Sequence, residues 1–148
     1  MADPTGSSSK TPWHLWIVGV VSLLWNLVGV MDFVMTETRN ATYMKSFTPA
    51  QLDFFYGFPI WVVAAWGIAT IGGALGSVCL LLRRRLAVCL FLTSFLGMVV
   101  TTIHNFFLAD GLKVMGGAGA LAFSVTIFVI GALLFLYARA MRTRGVLR

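Results

Sequence analysis

The sequence predicts an all-α membrane protein, a four-transmembrane-helix antiparallel bundle, from the length and apolar character of its segments. Four stretches without Asp, Glu, Lys or Arg make up most of the 148 residues: 13–31, 54–82, 86–109 and 114–138. A helix rises about 1.5 Å per residue and the hydrocarbon layer is about 30 Å thick, so about 20 apolar residues cross it. Hydrophobic residues form 59% of the chain and charged residues 11%, a balance far from that of soluble domains.

The predicted elements follow in chain order. The leader, residues 1–12, has too little apolar surface to order itself and is predicted to be a flexible tail. The predicted transmembrane domain, residues 13–138, contains the spans, at about 13–35, 59–82, 86–108 and 114–138. Residues 139–148 are predicted to be a basic cytoplasmic tail. The first span exceeds the apolar core of a signal peptide and no small-residue cleavage pattern follows it, so we interpret it as retained.

Lysines and arginines predict the orientation, because cytoplasmic segments of membrane proteins are enriched in them. Both termini inside would place eight of them on the cytoplasmic side: Lys10, Arg83, Arg84, Arg85, Arg139, Arg142, Arg144 and Arg148. Only Arg39, Lys45 and Lys113 would lie outside. The net charge of +6 therefore belongs to turns and tails rather than to a basic face, which argues against a nucleic-acid partner.

The segment between the first two spans is predicted to hold a short helix. Thr48, followed three residues later by Gln51, has the form of a capping box, with Pro49 at the first helical position. The residues that follow are apolar and aromatic, so we expect an interfacial helix at the outer headgroup level. An interfacial anchor and a lid over an outer pocket are its two interpretations.

Small residues predict close packing around the second span. Ala65, Ala69, Gly73 and Ser77 recur every four residues and share one helix face. Small side chains let helix backbones approach in the membrane, so we expect this span to be central. The pattern supports a compact bundle, and a homo-oligomer is an open alternative.

Three consecutive arginines, Arg83, Arg84 and Arg85, join the second and third spans in a tight hairpin. We interpret them as a topology signal, and a specific lipid or partner site is the alternative. Arginines near the bilayer surface attract anionic headgroups. Membrane lipids are therefore an expected partner.

Polar residues inside the apolar spans define a candidate pocket that opens outward. Helical periodicity places Asn26 on one face of the first span with Asp32 along the edge of that face, and it places Thr101, His104 and Asn105 on one face of the third. Helical rise gives Asn26 and Thr101 similar depths, and it places Asp32 and His104 together nearer the outer surface. The candidate pocket consists of Asn26, Asp32, Trp66, Thr101, His104 and Asn105.

The residues of the candidate pocket also have structural interpretations. Asp32 is interpreted first as a boundary residue whose side chain reaches water, with a structural pair to His104 or a proton or ligand site as alternatives. Asn26 is interpreted as the donor of an interhelical hydrogen bond. Trp66 is expected to pack in the core rather than to stack on a ligand.

The sequence assigns no catalytic residue, metal ligand or cofactor. Cys79 and Cys89 stand alone, without the Cys-x-x-Cys pair of a disulfide exchanger. His14 and His104 start at opposite membrane faces and so cannot ligate one metal or haem together. We therefore do not expect an enzyme.

Several motifs resemble a group of small bacterial four-span inner-membrane proteins, some of which are loosely labelled sugar transporters. They are the 13–18 run WHLWIV, the 24–29 run LWNLVG, the 59–62 run PIWV, the 72–76 run GGALG and the 80–85 run LLLRRR. The resemblance covers the first three spans. It implies a multi-pass protein of the bacterial inner membrane more directly than it implies a substrate.

Three functions are compatible with these observations. A non-catalytic accessory or interaction component would use the glycine-rich faces to pack against another membrane protein, and we favour this interpretation. A small-molecule transporter, for which sugar is one candidate substrate, would have to act as an oligomer, because four helices enclose little space. A proton-coupled small exporter would use Asp32 as the proton carrier.

Overall fold

The computed structural model describes residues 10–148, which form helices, turns and no strand. In chain order the helices are α1 (His14–Glu37), α2 (Ala41–Met44), α3 (Pro49–Tyr56), α4 (Ile60–Leu81), α5 (Leu86–Ile103), a π-helical turn (His104–Leu108), α6 (Gly111–Val114) and α7 (Ala118–Thr143). Helices α1, α4, α5 with its π-helical turn, and α7 are long and apolar enough to cross a membrane. The predicted four-helix membrane bundle is confirmed, while the cytoplasmic position of both termini stays a prediction.

Helix α4 lies at the centre of the bundle, as the small residues predict. It packs most extensively against α5 and α1, whereas α7 packs mainly against α5. The α4 and α5 backbones approach each other closely at Gly97 of α5, where a Cβ atom would lie 2.7 Å from the carbonyl oxygen of Ala65. Ser94 of α5 also donates a hydrogen bond to the carbonyl of Ala69. Small residues on both helices therefore bring the two backbones together.

One end of the bundle, which we call the arginine end, carries the 83–85 turn and the last residues of α7. Its core consists of Leu15, Leu80, Ala87, Val88, Phe91, Ala138, Met141, Val146 and Leu147. Leu147 is fully buried and Val146 is 3% exposed. The predicted basic tail, 139–148, is thus helical to Thr143 and then folds back onto the bundle.

The opposite end, which we call the loop end, is covered by aromatic residues of the 36–58 segment. The predicted capping box is confirmed: Thr48 Oγ1 accepts from Gln51 N at 3.3 Å, and Gln51 Oε1 accepts from Thr48 N at 3.0 Å. Because these contacts are local, the sequence was sufficient to place α3. The interfacial depth of α3 stays a prediction.

The fourth span differs from its predicted bounds of 114–138, whereas the third keeps its predicted bounds of 86–108. The fourth span begins at Ala118 rather than 114, because Gly116 and Gly117 adopt positive φ angles of 103° and 63° between α6 and α7. The third span changes from α-helix to π-helix at His104. Of the predicted flexible leader, residues 1–9 lie outside the described residues.

Candidate functional site

Asn26 connects α1 to α4 in the middle of the bundle. Its Nδ2 donates to the Ser22 carbonyl at 2.8 Å and to Ser77 Oγ at 3.3 Å. Ser77 is fully buried and donates in turn to the Gly73 carbonyl at 3.0 Å. A Cβ atom on Gly73 would overlap Asn26 Oδ1, so the absence of a side chain at Gly73 leaves the space that the Asn26 amide occupies. Asn26 therefore acts as an interhelical hydrogen-bonding residue.

Asp32 lies near the loop end of α1, where its carboxylate bonds to α2 rather than to His104. Tyr43 donates its phenolic O–H to Asp32 Oδ1 at 2.6 Å. Burial, the largest single cause, and the hydrogen bond and charge of the Asp32 carboxylate together raise the pKa of Tyr43 from its usual 10.0 to about 12. Among the described residues, Asp32 and His104 form no ion pair within 4.0 Å. The interaction fixes the start of the loop segment to the end of α1.

Trp66 belongs to a set of packed rings that we call the aromatic cap. Its members are Phe33, Tyr43, Phe47, Phe54, Phe55, Phe58, Trp61, Trp66 and His104. The Trp66 ring lies 5.1 Å from that of Phe33 and 6.3 Å from those of Phe55 and Phe58. Edge-on aromatic pairs each contribute about 0.5–1.5 kcal/mol beyond their buried area. The cap therefore holds α3 against α4, whose Trp66 also contacts Phe33 of α1.

His104 is the polar member of the aromatic cap. The side chain is 8% exposed, and the rings of Phe58 and Trp61 both lie 5.4 Å from it in edge-on geometry. Its Nδ1 lies 3.2 Å from the Oδ1 of the adjacent Asn105. One turn earlier, Thr101 donates to the carbonyl of Gly97 in its own helix at 2.8 Å. These polar groups are bonded within the third span.

The six residues of the candidate pocket thus occupy separate environments. His104 and Asn105 lie together, and Phe58 links His104 to Trp66. Asn26, Asp32 and Thr101 each bond elsewhere. Two lateral grooves lie on the bundle, one along α4 and one between α1 and α7, and neither is lined by any of the six.

Sequence reasoning missed the arrangement at the arginine end. Gly145 has a φ of 69°, Gly145 N donates to the Arg142 carbonyl and Val146 N donates to the Met141 carbonyl, both at 3.0 Å. This is a Schellman motif, which ends a helix at glycine and turns the following apolar residue back onto it. A glycine followed by Val146 and Leu147 after a helix is the signal that could have found it.

Tyr43→Phe is expected to lower the free energy of unfolding by about 1–2 kcal/mol at neutral pH, because the half-buried Asp32 carboxylate loses its donor. The wild type should lose this contribution as the pH rises from about 10 to about 12, since a pKa raised in the folded state stabilises it only while the phenol is protonated. Unfolding in detergent across that pH range measures both effects.

Tyr56→Phe is the matched control. Its ring carries a cation–π contact with Arg39, 4.3 Å from the ring centroid, and phenylalanine retains that ring. Equal stability of Tyr43→Phe and wild type at neutral pH would contradict the assigned role of the Asp32 hydrogen bond.

Among the residues described, no group of three or more His, Cys, Asp or Glu side chains is arranged to hold a metal ion. In comparisons with protein-family models, curated proteins and solved structures, nothing matches this chain. The four apolar helices are those of a multi-pass membrane protein.

Proposed function

We propose that this chain is a non-catalytic interaction component of the bacterial inner membrane, which packs a helix of another membrane protein against the lateral face of α4. The observation that carries the proposal is an apolar groove of about 490 Å³ along that face. The α4 helix lines most of its length, and α1 and α5 border it through Phe33, Leu90 and Thr93. Helices in lipid associate through such small-residue surfaces, because close backbone approach recovers dispersion energy.

The floor of the groove has the residues that close helix contact needs. Ala64, Gly67 and Gly72 lie along it, and Ile68 and Ile71 stand beside them, 48% and 44% exposed. A Cβ atom on Gly67 would lie 3.0 Å from the Phe33 ring, so this glycine already supports packing inside the bundle. An incoming helix would cover the isoleucines and approach the α4 backbone between them.

Contacts at both ends support a bundle that acts as a fixed surface. The aromatic cap covers the loop end, and Val146 and Leu147 lie in the core of the arginine end. Asn26 and Asp32 already bond within the chain. A bundle held together in this way suits a protein whose lateral surface binds a helix of another membrane protein.

Photo-crosslinking tests the proposal. A benzoylphenylalanine at Ile68, in the groove, should yield a discrete adduct with a different membrane protein in native membranes. The control is the same substitution at Leu133, which is 59% exposed on α7 and does not line the groove. Adducts with lipid alone from both positions would contradict the proposal. An adduct of two copies of this chain would instead favour the oligomeric transporter.

Asp32 favours a second candidate function, a proton-coupled small exporter. Its carboxylate is half-buried near the end of a span. A proton carried by a group at this position could be released at the loop end of the bundle. The hydrogen bond from Tyr43 would have to open in each cycle. We rank this function second because that bond ties Asp32 to the fold.

A further inference from the structure

The 83–85 turn holds an arginine where a glycine is usual. Arg83 has a φ of 57° immediately after α4, and its N–H donates to the Leu80 carbonyl at 3.0 Å. Arg84 N donates to the Cys79 carbonyl at 2.8 Å, which completes a second Schellman motif. A residue with a Cβ atom is disfavoured in this conformation, because the atom crowds the following carbonyl oxygen. The arginine side chain is therefore present despite a conformational penalty.

The segment after α7 fixes this turn. Arg148 N donates to the Arg83 carbonyl at 2.7 Å, and Arg85 N donates to the Arg148 carbonyl at 3.1 Å. Arg83 Nε donates to the Val146 carbonyl and Arg85 Nε to the Leu147 carbonyl, both at 3.3 Å. A guanidinium has five N–H donors, so each bond orients the group and leaves its Nη donors for a ligand. The two guanidinium groups are thereby preorganised.

Positive charge is concentrated around the turn. Arg84, Arg85, Arg139, Arg142 and Arg144 are exposed at the arginine end. The acidic side chains of the described residues lie toward the loop end: Asp32, Glu37, Asp53 and Asp110. An anion at the turn would relieve the repulsion among these arginines.

Apolar residues beside the turn point to a lipid as the source of that anion. Leu82 and Leu86 flank the three arginines and are 64% and 56% exposed. The turn joins the ends of two membrane-spanning helices, where hydrocarbon gives way to headgroups. A phosphate on the guanidinium groups would thus have its acyl chains beside exposed leucines.

We propose that the 83–85 turn, held by residues 145–148, is a binding site for the phosphate of an anionic phospholipid. The guanidinium forks bind two phosphate oxygens, a geometry that a lysine ammonium does not provide. This site is distinct from the groove on α4 and does not depend on the function proposed for it.

The test is native mass spectrometry of the full chain in detergent, titrated with dioctanoyl phosphatidylglycerol. Arg83→Gln/Arg85→Gln should bind the lipid about thirtyfold more weakly than the wild type, from the typical contribution of two basic residues near a lipid surface. Arg83→Lys/Arg85→Lys should bind with intermediate affinity, because it retains charge without the fork. Both replaced side chains lie outside the buried core of the arginine end, so the helices should persist.

The control is Lys45→Gln/Lys113→Gln, which removes two exposed charges at the loop end and should bind as the wild type does. Two further titrations use dioctanoyl phosphatidylcholine and inorganic phosphate. Equal affinity for both lipids, or no loss in the glutamine variant, would overturn the site. Inorganic phosphate binding as tightly as phosphatidylglycerol would overturn the lipid assignment. Wild-type affinity in the lysine variant would show diffuse charge attraction instead of a site.

Discussion

Gly97→Leu is expected to lower the free energy of unfolding by about 3 kcal/mol or more, because α5 contacts the α4 backbone at this position. A Cβ atom there would lie 2.7 Å from Ala65 O and 3.1 Å from Ala69 N. Backbone atoms inside a helix cannot move aside as a flexible side chain can, so the two helices would have to separate. Equilibrium unfolding in mixed micelles measures the loss.

Gly119→Leu makes the same replacement where there is room. No heavy atom lies within 4 Å of the position that a Cβ on Gly119 would take. Leucine also favours helix over glycine, so this variant should be at least as stable as the wild type. Similar losses in the two variants would show that the added side chain acts through something other than the α4–α5 contact.

Leu147→Ala is expected to lower the free energy of unfolding by about 2–5 kcal/mol, the range for removing a fully buried leucine. The expectation follows from its place in the core of the arginine end with Leu15, Leu80 and Met141. The loss should also release residues 145–148 from the 83–85 turn. Thermal unfolding in detergent and protease sensitivity of the segment measure the two effects.

Leu136→Ala serves as the matched control, since Leu136 is 54% exposed on α7. The side chain would face lipid, so its truncation should change the free energy of unfolding by less than about 1 kcal/mol. A loss in Leu147→Ala no larger than in Leu136→Ala would show that residues 145–148 contribute nothing to the folded bundle.

Particular residues show why part of the candidate site could not be predicted. Helical rise places Asp32 and His104 at similar depths, but depth does not fix the rotation of one helix about another. In the structure Tyr43 is the partner of Asp32, whereas Phe58 and Trp61 surround His104. The loop segment supplies two of these neighbours, and its path over the bundle depends on contacts among residues far apart in the chain.

The sequence by itself determined the four membrane helices, the capping box of α3 and the small-residue face of α4. These properties depend on length, apolar composition and spacings of three or four residues, all of which are read along one segment. Only the tertiary structure decided that Asn26 bonds to Ser77, that the aromatic cap surrounds His104 and that residues 145–148 fold onto the arginine turn. Each of these depends on the relative rotation and register of helices, which packing of the whole bundle sets.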